Sequence, residues 1–303
     1  MASAELDALA ALLAANELTD LSPVDEWRTA IDGIGALIPL AEGVEVQAVD
    51  AGGVPAELHR PAGDTHGRAL LLLHGGGYAI GSPTSHRPLA SRLAVATGSV
   101  VLVPDYRLAP EHPAPAALDD ALRSWRHLTG SEGVDAPAVH LCGDSAGGGL
   151  ALALTARLAE EGDPGPAALV LYSPWTDLTA TAPSLAANAA TDVVLTPALL
   201  ARWASWYLGS LDAADPAASP LFGELASCPR TLAFVTDTEV LLDDATRVVD
   251  AIAASGTEAR LEVRHGLFHD WLMYAGLLPE ADEAVEATAR FLGQNTPSRT
   301  SMS

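Results

Sequence analysis

The pentapeptide Gly143-Asp144-Ser145-Ala146-Gly147 constrains this chain more than any other stretch. It follows the apolar run Ala138-Val139-His140-Leu141-Cys142, which reads as a buried strand. It precedes Gly148 to Leu158, a stretch rich in Ala and Leu that reads as a helix. Strand, Gly-flanked turn and helix are together the setting in which Gly-x-Ser-x-Gly makes a nucleophile elbow. Such a turn brings backbone segments close together and strains its central residue, so a Cβ at position 143 or 147 would clash. The strain lifts the Ser145 hydroxyl above the sheet edge, where a base and a carbonyl carbon can both reach it.

The rest of the chain reads as a frame for that turn. Apolar runs at 69–73, 100–103, 138–142, 168–172, 231–235 and 260–264 alternate with helical stretches near 84–97, 115–129, 148–161, 241–254 and 280–293. Continuous apolar strands interleaved with helices predict a mostly parallel sheet covered on both faces, an α/β architecture. Val44 to Val49 and Val54 to His59 flank Asp50-Ala51-Gly52-Gly53, a hairpin signal that adds an antiparallel edge. Residues 1–42 read as two N-terminal helices capping a catalytic domain over 43–295, and the polar tail 296–303 reads as disordered. Between the strands ending at Tyr172 and starting at Thr231 the chain is too long for a simple crossover. A cap insertion over about 179–215 is expected there, with Trp203, Trp206 and Tyr207 on a helix near 196–209, one face packing and the other roofing a pocket.

Composition narrows the partners. The 303 residues carry 16 Lys and Arg against 39 Asp and Glu, a net charge of −23, which repels nucleic acid and anionic membrane and disfavours a highly anionic substrate. The N-terminus lacks the basic start of a secretory signal, and no apolar run reaches the length of a membrane span. A cytoplasmic protein is expected. Cys142 and Cys228 lie in or beside strands and read as core residues. The histidines at 59, 66, 86, 112, 127 and 140 are scattered and lack zinc spacing, so neither metal nor cofactor is expected.

The strand at 69–73 runs into His74-Gly75-Gly76-Gly77-Tyr78. Successive glycines leave backbone N–H groups free to face a developing oxyanion, and Ala146 after the serine adds another. One such donor is worth about 3 kcal/mol of transition-state stabilisation. His74 reads as the anchor of this loop. In a Ser, acid, His chain order the acid follows the strand at 231–235, where Asp237, Glu239, Asp243 and Asp244 stand. The base follows the strand at 260–264, where His265 and His269 both qualify by position.

Several motifs together resemble the hormone-sensitive-lipase group of the α/β-hydrolases. These are His74 to Ser82 (HGGGYAIGS), Asp105 to Pro113 (DYRLAPEHP), Gly143 to Gly148 (GDSAGG), Ser173 to Leu178 (SPWTDL) and Ala218 to Leu221 (ASPL). The resemblance covers most of 44–293. It implies an eight-stranded hydrolase sheet with a helical cap and cofactor-free carboxylic-ester hydrolysis. Glu239-Val240-Leu241-Leu242-Asp243 fits the family's acid pattern, placing the triad acid at Glu239 with Asp237 as its rival, and the family's aromatic-His motif selects His269.

The implied site is therefore Ser145, Glu239 and His269, with an oxyanion hole from the N–H groups of Gly76, Gly77 and Ala146. Asp144 is expected to be structural, and Asp105-Tyr106-Arg107 with Glu111 to lock the loop behind the site. The implied substrate is an ester of small to medium acyl chain. A lactone is the alternative, because lactone hydrolases share the Glu-Val-Leu-Leu-Asp-Asp form and because of Leu277-Leu278-Pro279-Glu280-Ala281. A non-catalytic ligand-binding fold usually lacks a triad member, and here all three are present. The family's habit of pairing through its last strand makes a homodimer an expectation.

Overall fold

The computed structural model describes residues 3–15, 18–63, 65, 67–130, 134 and 139–293. The tail expected at 296–303, His66 and Ala138 lie outside the described residues. The strands are β1 (Val44–Asp50), β2 (Pro55–Pro61), β3 (Ala69–Leu73), β4 (Val100–Pro104), β5 (Val139–Asp144), β6 (Leu169–Tyr172), β7 (Thr231–Thr236) and β8 (Ala259–Arg264). They form one eight-stranded sheet in the order β1-β2-β4-β3-β5-β6-β7-β8. Only β2 opposes its neighbours, pairing antiparallel with both β1 and β4; the remaining pairs are parallel.

Side chains alternate between the two faces of each strand, and the core divides accordingly. Leu71, Leu73, Leu102 and Leu141 face α4 (Ala116–Thr129), α5 (Ala146–Glu161) and α8 (Leu242–Ala254). Leu70, Leu72, Val101, Val103 and Cys142 face α3 (Pro83–Thr97) and α9 (Pro279–Gly293). Strands covered on both faces must be apolar throughout, which is why β3 to β7 read as unbroken runs. At the edge, β8 is half exposed and carries Arg260, Glu262 and Arg264.

Two helices precede the sheet, α1 (Ala4–Ala14) and α2 (Val24–Leu37). Ser3 caps α1 by accepting from the Leu6 N–H, while its own N–H and Oγ donate to Glu280 on α9 at 3.0 and 2.9 Å. Residues 173–230 hold α6 (Ser184–Ala187), α7 (Pro197–Leu208) and two short 3-10 turns. Tyr207 stacks on Tyr78 with ring centroids 3.7 Å apart, and Trp203 meets Trp27 of α2 edge to face at 5.9 Å. The aromatic face of α7 thus packs and also closes over the sheet's carboxyl edge. Cys142 and Cys228 are buried free thiols.

Candidate active site

Four strands deliver the site at their carboxyl ends, where ligands bind in open α/β sheets. Ser145 follows β5, the glycine loop follows β3, Glu239 follows β7 and His269 follows β8. Ser145 sits at φ 49°, ψ −120°, a conformation L residues rarely adopt. Its N–H donates to the Tyr172 carbonyl at 2.8 Å, and its carbonyl accepts from the Trp175 N–H at 2.9 Å. The glycines around it are required by crowding. A Cβ on Gly143 would stand 2.2 Å from the Gly147 carbonyl oxygen, and one on Gly147 would stand 2.0 Å from that of Leu73.

The Ser145 Oγ lies 3.0 Å from His269 Nε2, and His269 Nδ1 lies 2.6 Å from Glu239 Oε2. The second Glu239 oxygen accepts from the Thr236 N–H at 2.7 Å and from the Ser173 hydroxyl at 2.8 Å. All three side chains are buried. Burial opposes charging the imidazole, but Asp270 and Glu239 beside it outweigh that and hold its pKa well above the ordinary histidine value. A hydroxyl, an imidazole and a carboxylate in this relay can take the proton from the serine and stabilise the resulting cation.

The glycine loop is tied to the elbow through Asp144, whose Oδ2 accepts from the Gly75 N–H at 2.9 Å and lies 3.1 Å from His86 Nε2. Behind it, the His74 ring stacks on Tyr106 at 4.0 Å, and the Tyr106 hydroxyl donates to the His74 carbonyl at 2.6 Å. Burial lowers the His74 pKa to about 3, so the ring is a neutral anchor rather than a base. The N–H groups of Gly76 and Gly77 have no acceptor among the described residues. That of Ala146 opens α5, where a helix offers none. A cleft of about 250 Å³ lies over Ser145, lined by Gly76, Ile80, Trp203, His269 and Asp270 and roofed by apolar side chains of α1, α2 and 193–195. Among the described residues no cluster of His, Cys, Asp or Glu has the arrangement of a metal site.

Residues 70–273 match the family described as alpha/beta hydrolase fold. A solved esterase of the bacterial hormone-sensitive lipase family superposes with a TM-score of 0.92 at 37% identity, covering 96% of this chain and 98% of that one. The chain belongs to that family of α/β-hydrolases. The hydrolase is also 40% identical to an acetyl-hydrolase of Streptomyces hygroscopicus, over 96% of this chain and 97% of the relative. It is 33% identical to an ethyl acetate hydrolase of Pseudomonas putida, over 80% and 79% of the two chains.

The rival acid is elsewhere in this hydrolase. Asp237 is exposed, with its carboxylate 2.8 Å from His265 Nδ1 and accepting from the Gly266 N–H at 2.9 Å. Glu111, expected with Arg107 to lock the loop behind the site, reaches that loop through α2. It holds Arg28 of α2 at 2.9 and 2.7 Å, while Arg107 binds Asp120. Two further residues touch the site without a sequence signal that marks them. His86, one of the scattered histidines, is buried against Asp144. Asp270, next in the chain after His269, has its Oδ2 3.0 Å from His269 Nε2.

Proposed function

We propose that this chain is a serine carboxylesterase acting on small-molecule esters of short to medium acyl chain. Carboxylic ester hydrolysis is its activity, in keeping with relatives named as esterases and acetyl-hydrolases and with the ethyl acetate hydrolase among them. The observation that carries the serine mechanism is the continuous relay from Ser145 Oγ through His269 to Glu239 at 3.0 and 2.6 Å. In this reading His269 Nε2 takes the Ser145 proton as Oγ attacks the ester carbon, and Glu239 orients and stabilises the imidazolium. The N–H groups of Gly76, Gly77 and Ala146 hold the oxyanion. The imidazolium returns its proton to the departing alkoxide, and water, deprotonated by His269, then releases the acid and frees Ser145.

Several further assignments belong to the same proposal. The helices α1 and α2 together with α6 and α7 form the cap over the hydrolase domain, and the apolar lining from α1, α2, 193–195 and Trp203 suits an acyl chain rather than a charged one. The motif that suggested a lactone has structural employment. Asp243 accepts from the Ser184 N–H at 2.8 Å, Asp244 accepts from the N–H groups of Thr176 and Asp177, and Leu278 and Ala281 are buried at the start of α9. An open ester is therefore the favoured substrate. A cytoplasmic location and a homodimer complete the proposal.

The test is pH-stat hydrolysis of a medium-chain ethyl ester beside the matching ring lactone, with Ser145→Ala as blank. The expected result is a higher kcat/KM for the open ester and loss of turnover in the variant. Preference for the lactone, or turnover undiminished in Ser145→Ala, would overturn this reading.

A further inference from the structure

Asp270 follows His269 directly in the chain. It is 9% exposed, it lines the cleft over Ser145, and its Oδ1 has no hydrogen-bond partner among the described residues. Its backbone is left-handed at φ 55°, ψ 34°, a conformation that Asp and Asn tolerate better than most residues. Its Oδ2 stands 3.0 Å from His269 Nε2 as a charge contact, while the ring's hydrogen bond at that nitrogen is to the Ser145 Oγ, also at 3.0 Å.

These two contacts make incompatible demands on one ring nitrogen. With Nδ1–H donating to Glu239, a neutral His269 offers at Nε2 a lone pair that can accept from Ser145, but a lone pair repels a carboxylate oxygen. A carboxylate 3.0 Å from Nε2 repels the lone pair of the neutral ring and attracts the imidazolium, so the contact is favourable only when the ring carries its second proton. Asp270 therefore favours the protonated pair, in which Nε2 cannot accept the serine proton. We propose that Asp270 is a positioning residue that holds a proton on His269 Nε2 and so sets the pH at which Ser145 becomes a nucleophile. The inference rests on the Ser145, His269 and Glu239 assignment.

The surroundings reinforce the effect. The titratable groups facing Asp270 are His269 and Tyr274 on its own stretch, Glu239 after β7, Asp144 at the end of β5 and His86 on α3. Burial pushes the Asp270 carboxyl up to about 6, and Asp144 and Glu239 add to this, against the opposing pull of His269. The direction for His269 is upward, so the base becomes neutral at a higher pH than an ordinary histidine does. Activity requires the neutral ring, so the acid limb of the kcat/KM profile stands on the alkaline side of the ordinary histidine range. Removing the Asp270 charge must move it toward lower pH.

The experiment titrates the His269 ring by nitrogen-15 NMR and records the kcat/KM profile for one ethyl ester in the wild type, Asp270→Asn and Asp270→Gly. Asparagine keeps the shape and loses the charge, and glycine accepts the left-handed backbone while removing the group. In both variants the ring titration and the acid limb are expected to shift down by about one pH unit or more, the usual scale for losing one close opposite charge. An unchanged or upward-shifted His269 titration in a variant that keeps the wild-type circular dichroism would overturn the proposal. The ring titration needs no turnover, so it reads the Asp270–His269 coupling even if Ser145 fails as the nucleophile. Should Asp270→Asn fail to fold, Asp270→Gly carries the same test.

Discussion

At the scale of single residues, the chemistry rests on which carboxylate meets the imidazole. Glu239 accepts His269 Nδ1 with one oxygen and has its other oxygen held by Thr236 and Ser173, so the carboxylate is fixed from both sides. Asp237, two residues earlier, is turned to solvent against His265. Glu239→Gln is expected to lower kcat by roughly 10³–10⁴, the scale seen when a triad carboxylate becomes an amide. Asp237→Asn should stay within about twofold, as expected of a surface change. Steady-state kinetics on one ester decide it, and a larger loss in the Asp237 variant would reverse the assignment. That Ser145, Glu239 and His269 come together was legible in the sequence because each sits in a motif with a fixed place after a strand. Asp270 and His86 were not, because their roles depend on which atoms face them across the fold.

At the scale of elements, the strands and most helices were legible to within a residue or two, since burial on both faces forces continuous apolar runs in β3 to β7. The insertion before β7 was legible in length but not in employment. Its first part clamps the acid loop, with Asn188 Nδ2 donating to the carbonyls of Asp237 and Glu239 at 3.1 and 2.8 Å and Asp192 accepting from the Val240 N–H at 2.9 Å. Polar clamps of this kind leave no hydrophobic period to read. A comparable fastening holds α2. Arg28 donates to the carbonyls of Ala79 and Ala109 at 2.9 and 3.0 Å as well as to Glu111, linking the helix that lines the cleft to the end of the glycine loop. Arg28→Ala is expected to raise KM several-fold with a smaller change in kcat. The melting temperature should fall with it, because two buried carbonyls and a carboxylate lose their donor at about 1–3 kcal/mol. A variant with wild-type KM would show that α2 keeps its place without this link.

At the scale of the whole molecule, the parts converge on one edge of the sheet. The elbow after β5, the glycine loop after β3, Glu239 after β7 and His269 after β8 meet there beneath α1, α2 and α7. Charge composition set limits on partners but carried no information about the cleft, whose walls come from segments far apart in sequence, from Leu13 to Tyr274. The measurement that bears most directly on the whole is intact-mass and peptide mapping after incubation with a fluorophosphonate. One adduct per chain, located on Ser145 and absent from a folded Ser145→Ala variant, is the expected result. Labelling that persists in Ser145→Ala, or a wild type that hydrolyses esters yet takes no adduct, would mean that Ser145 is not the nucleophile.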